Sequence, residues 1–115
     1  MATFTLQERS YGCPVELTLS AIGGKWKILI LWNLRGQTLR YSELRRTLPR
    51  VTHKMLSQQL RELEADGLVH REVYPVVPPK VEYSLTEEGA RLVPVLTEMQ
   101  KWGLHYKVKP PMDAD

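Results

Sequence analysis

The hydrophobic positions of this chain fall at helical spacing up to Gly67, at every second position from there to Leu85, and at helical spacing again to Tyr106. The spacing is clearest between Thr52 and Gly67. Leu56, Leu60 and Leu63 fall at i, i+4 and i+7, which makes one apolar stripe of an amphipathic helix. At about 100° per residue, Lys54, Gln58 and Arg61 land on the opposite side. Thr52 suits the N-cap, where its hydroxyl accepts an orphan amide hydrogen, and Gly67 suits the left-handed residue that ends a helix.

Upstream, Cys13-Pro14 predicts a helix start, because proline at the first helical position leaves no amide hydrogen unpaired. Val15, Leu17, Leu19, Ala21 and Ile22 give that helix its apolar residues, and Gly23-Gly24 stops it. Lys25 to Leu34 is apolar almost all the way round, the mark of a buried central helix. A parallel-sheet strand competes for this segment, but ten residues of good helix formers favour the helix. Arg35-Gly36-Gln37 ends it. Thr38 to Tyr41 reads as a single edge strand. Ser42 then caps a helix over Glu43 to Leu48, closed by Pro49. A short helix, the turn Pro49-Arg50-Val51 and the longer Thr52 helix have helix-turn-helix spacing, which many helical hairpins share.

After Gly67, Val69, Arg71 and Val73 alternate with Leu68, His70, Glu72 and Tyr74, and Val81, Tyr83 and Leu85 alternate with Lys80, Glu82 and Ser84. The intervening Tyr74-Pro75-Val76-Val77-Pro78-Pro79 cannot extend a ladder, because proline has no donor, so a hairpin with a stiff loop is predicted. Thr86-Glu87-Glu88 caps a last helix carrying Leu92, Val95, Leu96, Met99, Trp102 and Tyr106, with a kink expected at Pro94. The class is mainly α with a small β-hairpin (α+β). The order helix-helix-strand-helix-helix-strand-strand-helix is that of a winged helix-turn-helix. Residues 1–12 read as a flexible arm, 13–107 as the domain and 108–115 as a disordered tail.

Composition narrows the function. At 115 residues the chain makes one domain, and its net charge of +3 with a pI near 9.1 fits a nucleic-acid partner without requiring one. The distribution of charge says more. Leu44 to Arg61 contains no acid, yet it holds Arg45, Arg46, Arg50, Lys54 and Arg61. A solvated helix face usually mixes Glu with Lys, and a protein-binding face has no need to exclude acids. A chance excess of base and a protein-interaction module remain the competing readings. The longest apolar run, Ile28 to Trp32, is too short to span a bilayer, and residues 1–12 lack the pattern of a secretory signal. The single Cys13 rules out an internal disulfide, so a cytoplasmic protein is expected. His53, His70 and His105 are scattered and no His or Cys pair has ligand spacing. No metal, no cofactor and no enzyme are expected.

In a winged helix the second helix of the motif lies in the major groove of double-stranded DNA. Arg45, Arg46 and Arg50 are then candidates for phosphates. Thr52, His53, Lys54, Ser57, Gln58 and Arg61 are candidates for base edges and nearby phosphates, and Arg71 and Lys80 are the cations available on the hairpin. Leu56, Leu60 and Leu63 belong to the core. Trp26, Trp32 and Trp102 suit core or a subunit interface better than base stacking.

Four motifs share this order: C-P-V-E-L-T-L-S-A-I-G-G-K-W at 13–26, Y-S-E-L-R-R-T-L-P at 41–49, K-M-L-S-Q-Q-L-R-E-L-E-A-D-G-L-V-H-R at 54–71 and P-P-K-V-E-Y-S-L-T-E-E-G at 78–89, with Lys101-Trp102-Gly103 closing the series. Over residues 13 to 103 the chain resembles the HxlR-type transcriptional regulators, a small bacterial winged-helix family related to the MarR regulators. The resemblance implies a homodimeric repressor on an inverted-repeat operator, with dimer contacts from the N- and C-terminal helices. Val15, Leu19, Leu96, Met99, Trp102 and Tyr106 are the candidates for those contacts. It also implies that Cys13, a cysteine before proline, senses oxidants or electrophiles. A helix start, where amide dipoles favour a thiolate, suits that role. The competing readings are a buried, inert thiol and control by a small molecule at the dimer interface.

Overall fold

The computed structural model describes residues 3–106. In chain order its elements are β1 (Phe4–Leu6), β2 (Arg9–Tyr11), α1 (Pro14–Ile22), α2 (Trp26–Leu34), β3 (Leu39–Arg40), α3 (Tyr41–Thr47), α4 (His53–Ala65), β4 (Val69–Tyr74), β5 (Lys80–Leu85), α5 (Glu87–Ala90) and α6 (Val93–His105). The expected tail at 108–115 lies outside the described residues.

Ile30, Leu31 and Leu34 of α2 form the centre of the core, where α2 meets α4, α6 and β5. Leu44 of α3 and the α4 stripe Leu56, Leu60 and Leu63 close on them, all of them buried. The helical spacing of those leucines is therefore the spacing of core positions. Thr52 caps α4, its hydroxyl accepting from the Met55 amide at 3.1 Å. The other end is a Schellman closure. Gly67, at φ 75°, donates to Glu64 O, and Leu68 N donates to Leu63 O at 2.9 Å. The α2 helix is buried along one side only. Ile28, Leu29 and Trp32 are half-covered and line an apolar groove of about 350 Å³ with Leu96, Met99 and Gln100.

The sheet has the order β3-β5-β4 and is antiparallel throughout. Tyr74 pairs with Lys80, so residues 75–79 form the loop at the tip of a wing, and β3 is the short edge strand expected from Thr38 to Tyr41. A helix-turn-helix (α3, α4) followed directly by this hairpin makes the domain a winged helix.

Three expectations need correction. Residues 4–11 are not a flexible arm. They form a hairpin with Leu6 opposite Arg9 and a two-residue turn in which Gln7 takes φ 56°. Gln7 Nε2 donates to Asp66 Oδ1 at 2.7 Å, Arg9 reaches the same oxygen at 3.4 Å, and Tyr11 and Arg9 both bond Ser20 of α1. Ser42 does not cap α3. The helix starts at Tyr41, and the Glu43 carboxylate turns back to accept from Arg40 N at 2.7 Å. Pro94 does not kink one long helix. It separates two, standing at the second position of α6, where no amide donor is needed.

Under the hairpin lies a charged pair. Lys27 Nζ, with its side chain 10% exposed, meets Glu62 Oε1 of α4 at 2.7 Å. The Lys27 ammonium, through its hydrogen bond first, holds the Glu62 carboxyl below the ordinary glutamate value of 4.5. A carboxylate depressed in the fold stabilises it fully above that value, and the contribution is lost as pH falls through the folded value. Urea unfolding across an acid series is expected to show this loss in the wild type and its absence in Glu62→Gln. At neutral pH that variant is expected to be less stable by about 1–2 kcal/mol, because Lys27 stays buried without its anion while the open Glu62 side keeps the effect moderate.

Candidate nucleic-acid interface

Leu48 and Val51 are buried and pin the α3–α4 turn from inside, which forces its polar residues outward. Arg45, Arg46 and Arg50 are all exposed. Their side chains make no hydrogen bond or ion pair with any described residue. Thr52, His53, Lys54, Gln58 and Arg61 are exposed beside them, and Ser57 is half-buried. The acid-free stretch of the sequence is thus one continuous surface made of α3, the turn and the first half of α4. Acids resume at Glu62, where α4 turns toward Lys27.

Several of these side chains are already oriented. Gln58 Nε2 donates to Glu62 Oε2 at 3.2 Å, which leaves its amide oxygen and second amide hydrogen outward. Arg61 Nε bonds Ser57 O at 3.4 Å. The Tyr41 hydroxyl contacts His53 Nδ1, His53 O at 3.1 Å and Ser57 Oγ at 3.3 Å. Sequence reasoning missed Tyr41 as a site residue, although it opens the Y-S-E-L-R-R motif. A groove of about 610 Å³ separates α4 from the sheet, with Arg61 and Arg71 on its two sides.

The wing supplies less charge than its sequence offers. Lys80 Nζ stands 4.9 Å from the Tyr74 ring centroid and 3.4 Å from Glu82 Oε2. The Glu82 carboxylate also accepts from the Tyr74 hydroxyl and holds that phenol above its usual value. Arg71 remains the outward cation of the hairpin, and Val77 is 99% exposed at its tip.

A second surface is apolar. Val15 and Leu19 on α1, Val95, Met99 and Trp102 on α6 and Tyr106 at its C-cap are exposed, and Trp102 stacks on Tyr106 with ring centroids 4.7 Å apart. Leu96 does not belong to this surface. It is 4% exposed and packs into its own core, one position round the helix from Val95. Cys13 is the N-cap of α1, two residues before Val15, and it is exposed, which removes the reading of a buried, inert thiol.

The profile of the HxlR-like helix-turn-helix family matches residues 21–110. The chain belongs to the HxlR-like helix-turn-helix family. It is 57% identical over 96 residues to the HTH-type transcriptional regulator YdeP of Bacillus subtilis, covering 84% of this chain and 75% of that protein. Among solved structures, the redox regulator HypR in its oxidized form is 54% identical, with a TM-score of 0.79, over 84% of this chain and 100% of HypR. Diamide-treated YodB from B. subtilis is 39% identical, with a TM-score of 0.69, over 85% of this chain and 97% of YodB. This HxlR-like protein is accordingly a DNA-binding helix-turn-helix transcription regulator, and its family and relatives are regulators rather than enzymes. Among the described residues no group of three or more His, Cys, Asp or Glu could hold a metal, and no helix is long and apolar enough to cross a membrane.

Proposed function

We propose that this chain is a cytoplasmic homodimeric repressor that reads an inverted-repeat operator with two copies of α4. The observation that carries the proposal is the acid-free, outward surface from Leu44 of α3 through the turn to Arg61 of α4, on which Arg45, Arg46 and Arg50 have no partner among the described residues. A two-fold dimer sets two such surfaces about 34–36 Å apart, one turn of duplex. The exposed stripe on α1 and α6 (Val15, Leu19, Met99, Trp102, Tyr106) supplies a self-complementary contact of the kind a two-fold needs.

The residues divide by chemistry. Arg45, Arg46 and Arg50 are phosphate ligands and supply affinity that falls with salt and ignores sequence. Thr52 and Lys54 sit with them at the start of α4, and Arg71 and Lys80 serve the flanking backbone from the wing. His53, Ser57, Gln58 and Arg61 face base edges. The outward amide of Gln58 retains both atoms required for a bidentate contact with adenine. Gln58→Ala is expected to relax preference at one base pair by roughly 1–3 kcal/mol, while Arg46→Ala weakens every duplex about equally and lowers the salt slope by about one. Fluorescence anisotropy across operator variants at two salt concentrations separates these outcomes. An equal, uniform loss in both variants would remove the division of roles.

The redox relatives bear on Cys13. The thiol is exposed at a helix start, two residues before Val15 of the proposed dimer face. With one cysteine per chain, a protein disulfide must join two protomers. Two Cys13 thiols would give two electrons and two protons to the N=N bond of diamide, forming one S–S bond and the reduced hydrazine. A quinone would instead take the thiolate sulfur onto a ring carbon. Diamide or quinone is expected to lower operator affinity at least about tenfold in the wild type and to leave Cys13→Ser unchanged. Unaltered binding, whether or not mass spectrometry finds Cys13 modified, counts against a sensing role.

A further inference from the structure

We infer that Tyr41, which lies outside α4, is a specificity-positioning residue that fixes His53 as a hydrogen-bond acceptor and so selects a base bearing an amino group, cytosine or adenine. The inference rests on the proposed placement of α4 in the major groove.

The argument is a count of protons. The Tyr41 hydroxyl lies within hydrogen-bond reach of three atoms: His53 O, His53 Nδ1 and Ser57 Oγ. A phenol has one hydrogen and two acceptor lone pairs. The carbonyl oxygen of His53 can only accept, so it must take that hydrogen. His53 Nδ1 and Ser57 Oγ must then donate to the phenol oxygen. This is the one arrangement that makes all three contacts at once. It places a proton on Nδ1 and leaves Nε2 of the neutral ring bare.

Ring packing holds the same geometry. The Tyr41 and His53 rings meet edge to face, with centroids 5.0 Å apart and planes at 85°. His53 is the first residue of α4 and is exposed, in the part of a recognition helix that meets base edges. It opens onto the groove shared by Ser57, Arg61 and Arg71. In the major groove, cytosine N4 and adenine N6 are the amino donors, whereas the guanine edge and thymine O4 only accept. A bare Nε2 therefore pairs with the first two and repels the others. Without the Tyr41 oxygen, Nδ1 loses its partner and either tautomer can form.

Two measurements test this. In the free wild-type protein labelled with ¹⁵N-histidine, assigned by comparison with His53→Ala, neutral His53 is expected to be protonated at Nδ1 and bare at Nε2. A proton on Nε2 would overturn the inference without touching the proposed function. A randomised duplex library selected with the wild type, followed by single base-pair variants of the preferred duplex, reads the consequence. One position per half-site is expected to prefer cytosine or adenine about tenfold. Tyr41→Phe, which keeps the ring and removes only the oxygen, is expected to lose that preference alone, with other positions and the salt slope unchanged. The loss is expected to vanish in a His53→Ala background. Uniform weakening at all positions, or an effect that persists without His53, refutes the role. A library that yields no preferred duplex removes the proposed function itself.

Discussion

Gly89→Ala is expected to destabilise the domain by about 3 kcal/mol, at the upper end for overpacking, and to lower the thermal midpoint by more than about 10 °C. A Cβ built at Gly89 stands 2.0 Å from Leu68 O and 3.0 Å from Leu68 C. Both atoms are backbone, so no side chain can rotate out of the way. The contact is tight because three bonds draw these segments together. Thr86 N donates to Leu68 O at 3.1 Å, the Thr86 hydroxyl donates to Gly67 O at 2.6 Å, and that hydroxyl accepts from Gly89 N at 3.0 Å. The segment that leaves α4 is thus sewn to the start of α5, and a methyl group there must push α5 away from the connection between α4 and β4. Gly12→Ala is the matched control. Its Cβ meets nothing within 4 Å, so the change is expected to leave the midpoint unaltered or raise it slightly. Equal melting of both variants in a calorimeter would refute the close approach.

Trp102→Asp is expected to convert the proposed homodimer to monomer and to cut operator affinity at least about a hundredfold. Trp102 is 66% exposed on α6, so the protomer should keep its helical content. In a two-fold contact the same patch meets itself, so one substitution brings two carboxylates into an apolar seam. Tryptophans at the centre of such seams commonly carry 2 kcal/mol or more. Once the protomers separate, each half-site is bound alone and the gain from a second, tethered contact disappears. Light scattering reports the assembly and anisotropy reports the affinity. A dimer of unchanged mass with unchanged affinity would place the interface elsewhere.

The parts of this fold that could be read from sequence are those fixed by near neighbours. Thr52, the leucines of α4 and Gly67 act within a few residues of one another, so cap, stripe and stop were visible together. The alternation of β4 and β5 was visible for the same reason. The N-terminal hairpin was not. Its strands are three residues each, too short for the Phe-Thr-Leu alternation of β1 to mark a strand, and the partner that orders them, Asp66, lies 59 residues from Gln7. Pro94 starts a helix where a kink is expected, because the apolar pattern of α6 alone does not show whether a proline bends a helix or opens one. In the candidate site, the cations and amides of α4 were legible from the missing acids. Tyr41 was not, because its part depends on a phenol oxygen crossing from α3 to the first turn of the next helix. Lys80 carries the right charge, but Glu82, two residues on in the same strand, takes up much of it. Leu96 shares a helix with the exposed stripe, and only packing against α2 assigned it to the interior.

The hairpin has a practical consequence for anyone redesigning this chain. The carboxylate of Asp66 is 4% exposed, and its side-chain partners Gln7 and Arg9 both come from the first eleven residues. Trimming the protein back to Cys13, an ordinary step when an amino terminus is taken for slack, would strand a negative charge at the foot of the reading helix, where the helix dipole already disfavours one.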